Sequence, residues 1–80
     1  MNITFEAKKC ERKTTNKLQP GDVIQHGNIV VGFWYTMVMK VERSEYNKHK
    51  TTVTEMYDFL APNRTDYGFG AVFYVVKDNQ

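Results

Sequence analysis

Hydrophobic and polar residues alternate along several short segments of this chain, which is typical of β-strands with one buried face. No window of about 11 residues keeps the periodicity of an amphipathic helix. Polar stretches at 11–20 and 58–65 are predicted as a solvated loop and as a turn or single helical turn. The pattern therefore predicts an all-β domain. Its five predicted strands are 2–10, 21–26, 29–41, 50–57 and 71–76.

A strong turn signal leads into the second predicted strand. In the segment 18–22, Pro20 fixes φ and Gly21 supplies the positive φ that a type II turn requires. Farther along, Gly32 interrupts the long apolar segment. An isolated glycine within a strand usually marks a bulge or a bend, and such a bend lets one long strand serve two faces of a small barrel.

Side chains on successive strand residues point to opposite faces of a sheet. This alternation predicts which residues of the long third strand face the core. If Met37 and Met39 face inward, then Phe33 and Tyr35 face inward as well, and Trp34 faces outward, unless a bulge resets the register. The predicted core therefore consists of Met37, Met39, Val41, Val53, Phe73 and Val75.

A family resemblance follows from this order of segments. A polar loop, the sequence Leu18-x-Pro20-Gly21-Asp22-Val23-Ile24, an apolar strand, a hairpin, a Thr/Val strand and a closing apolar strand together resemble small SH3-like barrels of bacteria and phages. The resemblance implies a small five-stranded SH3-like barrel as one domain over residues 1–80. Such barrels mostly act as binding platforms for peptides, proteins or nucleic acids, and no catalytic residues come with the resemblance.

Length and composition agree with one small globular domain. The chain has 80 residues, of which 41% are hydrophobic and 14% aromatic, with a net charge of +2 and one cysteine. A lone cysteine and no signal-like start predict a reducing, cytoplasmic setting. No apolar run is long enough for a membrane helix, so no membrane partner is expected. The small size and unusual sequence suggest a phage product, expected in the host cytoplasm as a modulator or inhibitor of a host protein.

The residues that carry chemistry do not form a recognisable catalytic or metal-binding pattern. Cys10, His26 and His49 are scattered, and a structural zinc site needs four ligands at short paired spacings. We therefore predict that the protein is not an enzyme and has no cofactor or metal. The carboxylates that could act in pairs are predicted on a solvated face; they are Glu42, Glu45, Glu55, Asp58 and Asp66.

Three kinds of binding stay open from the sequence. The first is protein binding through exposed aromatic anchors, with Trp34, Tyr46, Tyr67, Phe69 and Arg64 as candidate contacts. The second is nucleic-acid binding through a basic segment, which contains Lys8, Lys9, Arg12, Lys13 and Lys17. The third is self-association through exposed strand edges, which would make the protein a structural homo-oligomer.

Overall fold

The structure, a computed structural model, describes residues 3–44, 50–56, 62–68 and 70–77. All strand pairings among these residues are antiparallel, in the order β1-β6-β2-β3-β4-β5. The described part of the protein is therefore all-β, as the sequence predicted. Its elements are β1 (Cys10–Thr14), a 3₁₀ turn (Thr15–Lys17), β2 (Val23–Asn28), β3 (Gly32–Arg43), β4 (Lys50–Met56), β5 (Asn63–Gly68) and β6 (Val72–Val76).

The finer prediction of a small five-stranded SH3-like barrel is not confirmed. The described residues form six strands in one open sheet, with β1 and β5 at its edges. β1 lies largely within the predicted loop 11–20, and β5 begins within the predicted turn 58–65. Both were missed as strands because polar edge strands lack the apolar alternation that marks a strand. The predicted first strand, 2–10, contributes mainly an isolated bridge between Thr4 and Phe33 before β1 begins.

The predicted turn before β2 is present. Gly21 has a φ of 96°, and the amide of Asp22 donates to the carbonyl of Gln19 at 3.1 Å. The turn also docks on β3, since Gly21 N donates to the Val38 carbonyl and Val38 N donates to the Asp22 carbonyl, both at 2.8 Å. The turn thus fixes the start of β2 against the middle of β3.

The core lies on one face of the sheet, which we call the inner face. Val53, Phe73 and Val75 are buried as predicted, and the half-buried Val41 packs against them. The sheet curls around this core and brings two strands that are not neighbours into contact. The ring of Tyr67 in β5 meets the ring of Phe73 in β6 edge to face, with centroids 4.8 Å apart. The buried apolar side chains are Leu18, Ile24, Val38, Val53, Phe73 and Val75.

The predicted inward placement of Met37 and Met39 is wrong. Both side chains are 42% exposed, whereas Thr36 and Val38 are each 1% exposed. The register of β3 against β4 shifts at Met39, which is the extra residue of a β-bulge. A bulge inserts one residue and reverses the facing of all positions beyond it. Val38 and Val41 therefore both face inward, although they are three residues apart and a regular strand would place them on opposite faces.

Candidate functional site

A buried carboxylate lies at the centre of a polar cluster on the inner face. Glu55 in β4 is 3% exposed. The hydroxyl of Thr36 donates to Glu55 Oε1 at 2.6 Å, and the hydroxyl of Tyr67 donates to Oε2 at 2.9 Å. His26 Nε2 lies 2.7 Å from Thr36 Oγ1 and 3.3 Å from Glu55 Oε1. We call these four side chains the Glu55 cluster.

The hydrogen bonds of the Glu55 cluster keep its carboxylate charged. Burial raises the pKa of Glu55. Hydrogen bonds from His26, Thr36 and Tyr67, together with the charge of His26, lower this pKa by more than burial raises it, so that it lies below its ordinary value of 4.5. Both carboxylate oxygens are satisfied, which is what a buried charge requires. The cluster takes one side chain from each of β2, β3, β4 and β5, and we assign it the structural role of joining these four strands.

The prediction that Glu55 lies on a solvated face is therefore wrong. The sequence does contain a signal that could have placed it correctly. Thr51 and Val53 are buried, and Glu55 follows them at the same parity in β4. Once Val53 is assigned to the core, period-two alternation places Glu55 on the same face.

Trp34, the predicted protein anchor, lies near the end of the inner face. Trp34, Thr36 and Val38 occupy alternate positions of β3, so Trp34 lies on the same face as these two buried residues. The prediction that Trp34 faces outward is therefore wrong. Its ring is half-buried and stacks on His26, with centroids 5.9 Å apart and an interplanar angle of 10°. A Cβ at Gly27 would lie 2.9 Å from Trp34 Cζ3, so the indole packs against the base of the β2–β3 hairpin.

The other predicted protein contacts are spread over the molecule. Tyr67 is half-buried and engaged with Glu55, whereas Arg64 is exposed on β5, 3.8 Å from Glu42. Tyr46 and Phe69 lie outside the described residues. The structure therefore does not bring the described candidates Trp34, Tyr67 and Arg64 onto one exposed surface, and the role of each in binding stays a prediction.

The predicted basic segment does not present one continuous face. Arg12 and Lys13 are adjacent in β1 and so point to opposite sides of the sheet. Lys13 pairs with Asp22 at 3.3 Å, and Lys8 Nζ lies over the Tyr35 ring, 4.6 Å from its centroid. Lys9 and Lys17 are exposed, and Lys17 lines an open pocket of about 480 Å³ beside Lys13. Part of the positive charge is thus already neutralised or engaged within the chain.

A set of exposed apolar side chains lies at the β2–β3 turn. Ile29, Val30 and Val31 are 76%, 81% and 55% exposed. The sequence predicts these residues within a strand, because β-branched residues favour strands. The turn is ordered by Asn28, whose side-chain oxygen accepts hydrogen bonds from the amides of Val30 and Val31 at 2.9 and 3.0 Å. This is the local use of asparagine that lets a short turn hold its shape.

The N-terminal segment extends this apolar surface. Thr4 forms two backbone hydrogen bonds with Phe33, at 3.0 and 2.6 Å. This places Ile3 and Phe5 over Gly32, where a Cβ would lie 2.4 Å from Ile3 Cγ2 and 3.4 Å from Phe5 Cε1. Ile3 and Phe5 are themselves 51% and 64% exposed. We call the surface formed by Ile3, Phe5, Ile29, Val30 and Val31 the apolar tip.

The described residues do not assemble the catalytic pair considered from the sequence. Cys10 in β1 and His26 in β2 are separated by β6, and neighbouring strands lie about 4.8 Å apart. Burial raises the pKa of the Cys10 thiol, and the charge of Lys8 offsets only part of this increase. The raised pKa reduces the fraction of thiolate. His49 lies outside the described residues. Where the chain is described, no group of three or more His, Cys, Asp or Glu side chains could hold a metal ion.

Comparison of the chain with protein-family models, with curated proteins and with solved structures gave no match in any of the three. No helix in the described part of the chain has the length and apolar character needed to cross a bilayer.

Proposed function

We propose that this protein is a non-enzymatic binding module that contacts another protein through the apolar tip. The observation that supports this proposal is the exposure of five large apolar side chains, all above 50%, on one ordered hairpin turn and the segment packed beside it. Exposed apolar side chains grouped on neighbouring segments of a small domain are typical of an interaction site. Because hydrogen bonds already hold the turn, binding costs little additional conformational entropy.

Trp34 fits this proposal as a residue at the border of the interface. It packs against Gly27 at the base of the hairpin that carries the apolar tip, and it stays half-exposed. Tryptophan is enriched among residues that dominate binding energy. We expect Trp34→Ala to weaken binding by about 2 kcal/mol.

We further propose a fold family and a biological role for this binding module. An SH3-like fold, suggested by the segment 18–24, would supply a scaffold of the kind that displays binding surfaces at its loops. A phage-encoded modulator of a host protein is the use that we propose for a chain of this size, acting in the host cytoplasm. A bacterial lysate is accordingly the first source in which to search for the partner.

Nucleic-acid binding is the alternative, and the apolar tip favours a protein partner over it. The five side chains of the tip carry no cation, whereas nucleic-acid affinity depends on cations that neutralise phosphates. Charge reversal separates the two cases. We choose Lys9→Glu and Lys17→Glu, because Lys13 pairs with Asp22 and its reversal would disturb the turn before β2. If the partner is a protein bound at the apolar tip, these charge reversals should mainly slow association. If the partner is a nucleic acid, they should abolish binding.

The experiment that tests the proposed function is affinity capture from a nuclease-treated bacterial lysate. The tagged wild-type chain is compared with Val30→Asp and with Val72→Asp, a control at a valine that is 41% exposed in β6. We expect the wild type and the control to retain the same protein, and Val30→Asp to lose it while melting at the same temperature. Equal capture by Val30→Asp, or capture that depends on intact nucleic acid, would refute the proposal.

A further inference from the structure

We propose that the outer edge of β5 pairs with the same edge of a second copy of this chain, in an antiparallel arrangement whose two-fold axis passes through Thr65. This inference concerns a surface other than the apolar tip and does not depend on the proposed function. β5 pairs with β4 on one side, and among the described residues no strand pairs with its other side. All six residues of β5 are exposed or half-buried. A free edge of this kind is a template for another strand.

Two rows of charge run across the outer face of the sheet and end at this edge. Each row takes one residue from β3, one from β4 and one from β5, in cross-strand register. One row is positive and the other is negative. The positive row contains Lys40, Thr54 and Arg64, and the negative row contains Glu42, Thr52 and Asp66.

The charges on β5 are stabilised in place by their neighbours within the chain. Asp66 accepts a hydrogen bond from Thr52 at 2.5 Å and lies 3.4 Å from Lys50 Nζ. Arg64 lies 3.8 Å from Glu42, with its side chain 70% exposed. Both β5 side chains therefore stand on the outer face with much of their surface open to a partner.

The pairing register follows from backbone geometry and from these two charges. Only alternate residues of a strand direct their N–H and C=O groups to a given edge, so a two-fold antiparallel pair has a residue on its axis. With Thr65 on the axis, Arg64 of each copy lies opposite Asp66 of the other. Shifting the axis to Arg64 or to Asp66 would place like charges opposite each other. Opposite charges across strands stabilise a pair and like charges destabilise it, so among the three registers centred on residues 64 to 66 the charge pattern selects the one centred on Thr65.

The same arrangement joins the charge rows of the two copies. The positive row of each copy, which ends at Arg64, continues into the negative row of the other copy, which begins at Asp66. The outer face of the paired sheets therefore carries two continuous rows in which charges of opposite sign meet at the junction. A single β5 edge supplies both halves of this complementarity, which is the requirement for a two-fold interface.

The other edge of the sheet lacks this property. β1 carries Glu11, Arg12 and Lys13 in succession. A two-fold pairing centred on any of these three residues places two like charges opposite each other on the axis, whereas the β5 pairing centred on Thr65 opposes no like charges. Like charges on the axis disfavour pairing between copies, so we assign the dimer contact to β5 and not to β1.

The test is sedimentation equilibrium over a range of concentrations, for the wild type and for two charge variants. Arg64→Asp gives β5 two negative charges at positions 64 and 66, and Asp66→Arg gives it two positive charges. We expect the wild type to dimerise as its concentration rises, and each variant alone to dimerise at least about tenfold more weakly. An equimolar mixture of the two variants should form a heterodimer about as stable as the wild-type dimer, because every position then faces its opposite charge. Thermal melts confirm that both variants fold.

Two further variants assign the contact. Arg12→Asp at the β1 edge and Val30→Asp at the apolar tip should both leave the wild-type dimer unchanged. The proposal is overturned by a wild type that stays monomeric up to about 1 mM. It is also overturned by single variants that dimerise like the wild type, by a mixture that stays monomeric, or by loss of the dimer in Val30→Asp alone.

Discussion

Glu55→Gln is the substitution that tests the inner-face chemistry most fully. The carboxylate accepts hydroxyl hydrogen bonds from Thr36 and Tyr67, at 2.6 and 2.9 Å. A hydrogen bond to a charged acceptor contributes about 1.5–3 kcal/mol, against about 0.5–1.5 kcal/mol for a neutral one. Loss of the charge at two such bonds should therefore destabilise the fold by about 2 kcal/mol. In a domain of this size that corresponds to a melting temperature lower by about 8–16 °C.

The pH dependence of this difference has a definite sign. The folded-state pKa of Glu55 lies below its ordinary value of 4.5. A carboxyl group with a depressed pKa stabilises the folded state above its unfolded pKa, and this contribution is lost as the pH falls through the folded pKa. The stability gap between wild type and Glu55→Gln should therefore shrink as the pH falls below about 4.5.

Urea unfolding of both proteins between about pH 3 and pH 7 measures this gap, and the other acidic groups cancel in the difference. Glu42→Gln is the matched control, because the side chain of Glu42 is 42% exposed and its ion pairs with Lys40 and Arg64 lie on the surface. Its effect should stay below about 1 kcal/mol. A gap between wild type and Glu55→Gln that does not change with pH, or a glutamine variant as stable as the wild type, would refute the reasoning.

Three further predictions concern the core, the N-terminal segment and the tip. Val38→Ala should cost about 1–3 kcal/mol, whereas Met37→Ala on the opposite face should cost less than about 1 kcal/mol; urea unfolding compares them, and equal costs would contradict the assignment of Val38 to the inner face and of Met37 to the outer face. Gly32→Ala should cost at least about 1 kcal/mol, because a Cβ there would meet Ile3 Cγ2 at 2.4 Å at a φ of 90°, and an unchanged melting temperature would contradict the docking of the N-terminal segment. Asn28→Ala should speed amide exchange at the tip and weaken partner binding at nearly unchanged global stability; equal exchange would show that another contact orders the turn.

Much of the sheet could be predicted because its central strands follow simple rules. The segment 18–22 contains the proline and glycine that its turn requires, and it forms that turn. Val53 in β4, and Phe73 with Val75 in β6, are buried at the predicted positions. In these segments local propensity and burial agree, so the alternation of apolar residues is sufficient to identify the core face.

The remaining features depend on tertiary contacts that alternation does not record. β1 and β5 lie at the two edges of the sheet formed by the described residues, and their polar residues lack the apolar alternation of a strand. The bulge at Met39 reverses parity within an otherwise regular strand. At the tip, Val30 and its β-branched neighbours favour a strand, but Gly27 and Gly32, both with φ near 90°, impose a turn there. Tertiary context overrides propensity at these positions.

The most direct test of the proposed function is calorimetric titration of the captured partner with the wild-type chain and with Val30→Asp, at about 0.1 M and about 0.5 M salt. An interface anchored on the apolar tip predicts that Val30→Asp weakens binding at least about tenfold, whereas the higher salt changes the wild-type affinity by less than about threefold. An affinity that falls steeply with salt and is unaffected by Val30→Asp would contradict the account, because binding would then depend on charged contacts and not on the exposed apolar side chains.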